Sequence, residues 1–100
     1  MENIKLELDN KNNGQFIITV EGEKLGEMDI LISGSTLTVF HTEVLPKVEG
    51  KGFAKKLFES MVNYARKNNL KVVALCPFIF AQFKRNPQQY IDIWTYTGLN

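Results

Sequence analysis

His41-Thr42-Glu43-Val44 and, five residues later, Gly50-Lys51-Gly52-Phe53-Ala54 mark the point where the chain changes its repeat. Upstream, apolar residues recur at every second position: Ile4, Leu6 and Leu8, then Phe16, Ile18 and Val20, then Met28, Ile30 and Ile32. Such alternation is that of strands with one buried face. Asn12-Asn13-Gly14, Glu21-Gly22-Glu23 and Ser33-Gly34-Ser35 separate these runs with residues that tolerate positive φ. A fourth strand is predicted from Thr36 to Val44, with Leu37, Val39 and His41 on one face and Thr38, Phe40, Thr42 and Val44 on the other. Four strands joined by tight turns make an antiparallel meander.

Downstream of Gly50 the period lengthens. Phe53, Leu57, Met61 and Ala65 recur at every fourth place, widened by Ala54, Phe58 and Val62, while Lys51, Lys55, Lys56, Glu59, Asn63, Arg66 and Lys67 fill the other faces. This is an amphipathic helix, ended by Asn68-Asn69. Lys71-Val72-Val73-Ala74-Leu75-Cys76 reads as a short buried strand, and Pro77 opens a second helix through Phe78, Phe80, Ala81 and Phe83 to about Arg85, where Asn86-Pro87 stops it. Gln88 to Ile93 add a last turn, and Thr95 to Asn100 read as a loose tail. The order is β-β-β-β-α-β-α, an α+β fold in which an antiparallel meander precedes a βαβ crossover, so the fourth and fifth strands are expected to run parallel.

With 100 residues, 44% of them hydrophobic, the chain is expected to form one domain with a core over about residues 4–93. A net charge of +1 supplies no field to draw it onto nucleic acid or an anionic membrane. No run approaches the length of a membrane span, and Met1-Glu2-Asn3-Ile4-Lys5 lacks the pattern of a signal peptide. One cysteine, Cys76, allows neither an internal disulfide nor a zinc cluster, and no metal is expected. A cytoplasmic location follows as the simplest expectation.

The turn Glu49-Gly50-Lys51-Gly52-Phe53-Ala54 carries the chemistry. The first N–H groups of a helix lack internal partners and stand at the positive end of its dipole, so a glycine turn there cradles a phosphate. Lys51, Lys55 and Lys56 add charge. The turn is neither the dinucleotide fingerprint, which needs a third glycine, nor the Walker motif, because Gly52 precedes Phe53.

In sequence order, His41-Thr42-Glu43-Val44, Gly50-Lys51-Gly52-Phe53-Ala54, Lys71-Val72-Val73 with Leu75-Cys76-Pro77-Phe78, and Asn86-Pro87 before Tyr90 resemble a subfamily of very short GCN5-related N-acetyltransferase (GNAT) domains over about residues 15–92. Gly52 and Ala54 match the last two fixed places of the family's pyrophosphate loop. The resemblance implies a mixed sheet whose fourth and fifth strands splay apart around the pantetheine arm of acetyl-CoA. It implies that backbone near Glu43, Val44 and Leu45 pairs with that arm, and that Glu49, Gly50, Lys51, Gly52, Phe53 and Ala54 surround the pyrophosphate. Lys51 and Lys55, with Lys84 or Arg85, would reach the 3′-phosphate, and Phe78 and Cys76 would lie near the thioester. Three departures stand out. Glu49 occupies a place where the family prefers Arg or Gln. Phe83 falls where many members carry a tyrosine acid, with Tyr90 a loosely placed substitute. These residues also hold no counterpart of the two N-terminal helices that close over the acceptor, so an open groove is expected.

Chemistry is assigned to three residues. His41 and Glu43 lie two apart on one strand face, where either can take a proton from an attacking amine. Cys76, just before a helix N-terminus, can carry the acetyl group as a thioester. Each also has a plain reading: a buried core thiol, a partly buried strand histidine and a solvent-facing glutamate. Acetyl transfer to an unidentified primary amine, a small molecule or a protein lysine, is the leading expectation. A non-catalytic acetyl-CoA-binding or sensing module is the alternative.

Overall fold

The computed structural model describes residues 2–95. Its elements are β1 (Glu2–Leu8), β2 (Asn13–Val20), β3 (Glu23–Ser33), β4 (Thr36–Val44), a 3-10 turn (Pro46–Val48), α1 (Phe53–Lys67), β5 (Lys71–Ala74), α2 (Pro77–Arg85) and a second 3-10 turn (Pro87–Tyr90). The strands form one sheet in the order β1-β2-β3-β4-β5, antiparallel except for the parallel β4–β5 pair. The expected α+β order is therefore the observed one. The short turn at Pro46–Val48 was not legible in the sequence. At the β1–β2 turn the left-handed residue is Asn12 (φ 64°), while Gly14 belongs to β2 opposite Leu8.

One face of the sheet is dry. Ile4, Ile18, Gly26 and Val44 form one cross-strand row on it, and Leu6, Phe16, Met28 and Thr42 the next. α1 lays Leu57, Phe58, Met61, Val62 and Ala65 against this face, and α2 adds Ile79 and Phe83. Phe83 is fully buried, edge-on to Phe58 and stacked on Trp94, with Tyr90 packed against both phenylalanines. Beyond β5 the chain returns: Val72 donates to Ile93 and accepts from Thr95, covering that edge. The expected tail falls mostly on residues 96–100, outside the described residues.

Two irregularities shape β4. Between Asp29 and Ile30 the register slips, so that Asp29 faces His41 while Ile30 faces Val39, and Phe40 becomes an extra residue. A bulge of this kind inverts the alternation beyond it. Thr42 and Val44 therefore join Leu37 and Val39 on the dry face, and His41 and Glu43 go to the open one. The strict alternation read from the sequence, which placed His41 with Leu37 and Val39, is corrected here, because periodicity counts residues and cannot see an insertion. The second irregularity is Gly26, where a Cβ would lie 2.8 Å from Val44 Cγ1 and 2.9 Å from the Glu43 carbonyl oxygen. Only glycine lets β3 run this close to the end of β4.

Candidate acetyl-CoA site

β4 and β5 part company halfway along. Pairing runs from Thr36/Lys71 to Val39/Ala74 and stops there. The N–H groups of Leu75 and Cys76 both turn back to the Val39 carbonyl at 3.0 Å, and Pro77 then starts α2. β5 is thus two residues shorter than the apolar run Lys71–Cys76 predicts. Residues Phe40–Val44 of β4 extend past the last pair.

The Leu45 N–H donates to the directly opposed Leu25 carbonyl at 2.8 Å. Antiparallel ladders alternate, so Glu43 and His41 also direct their main-chain groups to β3. Thr42 and Val44 direct theirs into the split. This sharpens the expectation drawn from the resemblance. Leu45 is engaged at both groups, since its carbonyl accepts from Val48, and it offers only an exposed side chain at the rim. Thr42, not singled out from sequence, takes its place. Its signal is tertiary: the β4–β5 pairing ends at Val39 and Ala74, so no strand meets the outward main-chain groups of Thr42.

At the wide end of the split lies the glycine turn. Gly50 and Gly52 both have left-handed backbone (φ 80° and 85°), and Gly52 caps α1 without a side-chain bond. The first helical bond is Lys56 N–H to Gly52 carbonyl. Among the described residues, the N–H groups of Gly50, Gly52, Phe53, Ala54 and Lys55 have no protein acceptor. Lys51 is the exception, closing a turn on the Val48 carbonyl at 3.2 Å. A Cβ on Gly50 or Gly52 would meet nothing within 4 Å. These glycines are therefore needed for backbone shape and not for packing. Lys51 and Lys55 are exposed and carry no ion pair, whereas Lys56 is held by Glu2 at 2.6 Å and lies over the Phe53 ring. Glu49 is exposed, its N–H committed to the Pro46 carbonyl.

The three candidate reacting groups are divided between faces. His41 Nε2 lies 3.4 Å from Glu43 Oε1 on the open face, both side chains well exposed. Cys76 is 2% exposed, and its Sγ donates to Thr42 Oγ1 at 3.5 Å on the helix side. The structure thus joins His41 to Glu43, and Cys76 to Thr42, without joining the two pairs directly. Phe78 is half-buried on the first turn of α2. Lys84 and Arg85 sit on the last turn of α2, about 12 Å along the helix from Cys76. Tyr90 packs beneath Arg66 on the α1 side, its ring centroid 5.8 Å from the guanidinium, so neither it nor the fully buried Phe83 presents a hydroxyl to the split.

A family model described as GCN5-related N-acetyl-transferase matches residues 15–93. The chain belongs to this family. Among solved GNAT structures, a GCN5-like protein from Staphylococcus aureus is 28% identical over 95% of this chain and 91% of its own, with a TM-score of 0.66. A ribosomal-protein-alanine N-acetyltransferase from Brucella melitensis biovar Abortus 2308 shares the fold at 15% identity over 100% of this chain and 96% of its own, TM-score 0.71. The ribosomal-protein-S18-alanine N-acetyltransferase of Escherichia coli does so at 16% identity and TM-score 0.61, over 66% of this chain. That match spans 43% of the length of the Escherichia coli GNAT enzyme. No curated protein sequence matched significantly. No helix among the described residues is long and apolar enough to cross a membrane.

Proposed function

We propose that this GNAT domain binds acetyl-CoA in the split between β4 and β5 and passes the acetyl group to a primary amine. One observation carries the reading: unused N–H donors at Gly50 and Gly52 to Lys55 stand at the mouth of a split where Thr42 and Val44 turn free main-chain groups inward. A diphosphate needs the first feature and the amide groups of an extended pantetheine arm need the second, in the manner of an added strand. Lys51 and Lys55 supply the positive charge, and the exposed Glu49 side chain is free to point away from it. Acetyl-CoA supplies an activated thioester. His41, with the Glu43 carboxylate 3.4 Å from its Nε2, takes the proton of an incoming ammonium from the open face.

The alternative is a domain that binds acetyl-CoA without turning it over. It is favoured by one finding: Phe83 and Tyr90 offer no phenol to the split. Assay of CoA release across a panel of primary amines separates the two. Steady release with any acceptor establishes the enzyme. Tight binding with no release leaves the sensing or carrying module, and failure to bind removes both.

A further inference from the structure

The open face of the sheet is built differently from a bare solvent face. Two cross-strand rows traverse it: Glu7, Gln15, Asp29 and His41, and beside them Lys5, Ile17, Glu27 and Glu43. Both rows end on β4 at the split. Lys5 pairs with Glu7 at 3.0 Å and Lys24 with Glu27 at 2.5 Å. Those ion pairs leave Asp29 and Glu43 beside His41 in excess. The Gln15 side-chain amide spans Glu27 and Asp29, donating to one at 2.8 Å and the other at 2.7 Å, and so holds two carboxylates close together. Ile17, at 7% exposure, is buried between its cross-strand neighbours Lys5 and Glu27. Leu31 and Val73 give the face a half-buried apolar margin near β5.

The field of this face is already sampled by one cation. The Lys24 ammonium is held above the usual lysine range, first by its bond to Glu27 and then by the charges of Glu27, Asp29 and Glu7. A second ammonium brought to the same surface meets the same carboxylates.

We propose that this face is the acceptor-docking surface, and that its occupant is an extended lysine-rich segment of a protein. The proposal rests on the acetyl-transfer reading for its purpose but not for its test. Charge decides the sign of the partner, and geometry its size. From Glu7 on β1 to His41 on β4 is three strand spacings, about 14 Å, which an extended peptide of four or five residues covers. A monoamine reaches one carboxylate at a time. A peptide can also lay its aliphatic stems on the half-buried Leu31 and Val73, which a small hydrated cation does not do. The rows lead the segment to His41 and Glu43, so a lysine at its end arrives at the lip of the split. The same charges repel nucleic acid from this side.

The test measures binding of a fluorescent pentalysine peptide to the full chain without acetyl-CoA, by anisotropy at low salt, so that failure of acetyl transfer leaves it intact. The double substitution Glu27→Gln with Asp29→Asn is expected to weaken binding about tenfold, from two rim charges at about threefold to fivefold each. Glu59→Gln, which removes one charge from the exposed side of α1, is expected to change it less than about twofold. Added salt should weaken the parent more than the double variant. Both variants keep the parent's cooperative urea-unfolding transition, which confirms that they fold. No binding by the parent overturns the proposal, as does equal loss in the Glu59 control. Competition by spermidine at the same molar concentration as the peptide also overturns it, assigning the face to small polyamines.

Discussion

Gly52→Asp separates stability from binding, because the structure gives the two effects different causes. The position is left-handed (φ 85°), and a Cβ there would meet nothing within 4 Å. The fold therefore bears only the backbone cost of a non-glycine residue, about 1–2 kcal/mol. Asp in place of Gly at a helix N-cap returns roughly 0.3 kcal/mol as a cap, and the dipole adds about 0.3–1 kcal/mol. The net change in unfolding free energy is expected to stay within about 1 kcal/mol, read by urea denaturation. Ligand binding has no such compensation. A carboxylate about 5 Å from a diphosphate opposes each of its two charges by roughly 1 kcal/mol at a water-exposed site. It also competes for one of the N–H donors, a charge-assisted bond of about 1.5–3 kcal/mol. Allowing for salt screening, we expect a loss of about 3 kcal/mol, or roughly a hundredfold in Kd for CoA by calorimetry. Gly52→Ala keeps the strain and lacks the charge, so it should fall much less. A folded Gly52→Asp variant that binds CoA within about threefold of the parent would refute the cradle.

Gly26→Val should destabilise by about 1–3 kcal/mol in urea titrations, because the Glu43 carbonyl cannot move aside, and Val44→Ala should not rescue it. The Asp92 carboxyl is held below its ordinary range, first by its hydrogen bond from Arg66 and then by that cation's charge. The pair's stabilisation is therefore complete above the ordinary carboxylate pKa of about 4 and fades as pH falls through the depressed value. Both side chains are more than a third exposed, so Asp92→Asn should cost below about 1 kcal/mol at pH 7 and flatten the acid limb of a thermal-melt pH series. If Cys76 accepts the acetyl group, mass spectrometry after incubation with acetyl-CoA will show an acetyl adduct that Cys76→Ala lacks. Amine turnover without that adduct assigns direct transfer.

The sheet and both helices were legible because each has a clean period and a chemical stop: Asn12 and Gly34 at turns, Asn69 in left-handed backbone after α1, Pro77 at the head of α2. The left-handed glycine turn ahead of α1 was legible for the same local reason. What escaped was set by tertiary contact. The inserted Phe40 reverses which face His41 and Thr42 occupy, and nothing in the local pattern announces it. The shortening of β5 depends on Leu75 and Cys76 sharing the Val39 carbonyl, a bond between residues far apart in sequence. Thr42 carries no signal in the sequence because a mid-strand threonine looks ordinary until the neighbouring strand departs. The open acidic face was invisible for a similar reason: Glu7, Gln15, Asp29 and His41 become one row only when four strands fix their register.

Titration of the full chain with acetyl-CoA, followed by backbone amide chemical shifts, tests the central claim most directly. The predicted result is saturable movement of the Gly50 and Gly52–Lys55 amides together with Thr42 and Val44, while Lys51 and the β1–β2 amides move little. Saturable shifts confined to some other surface, or none at millimolar ligand, would contradict it.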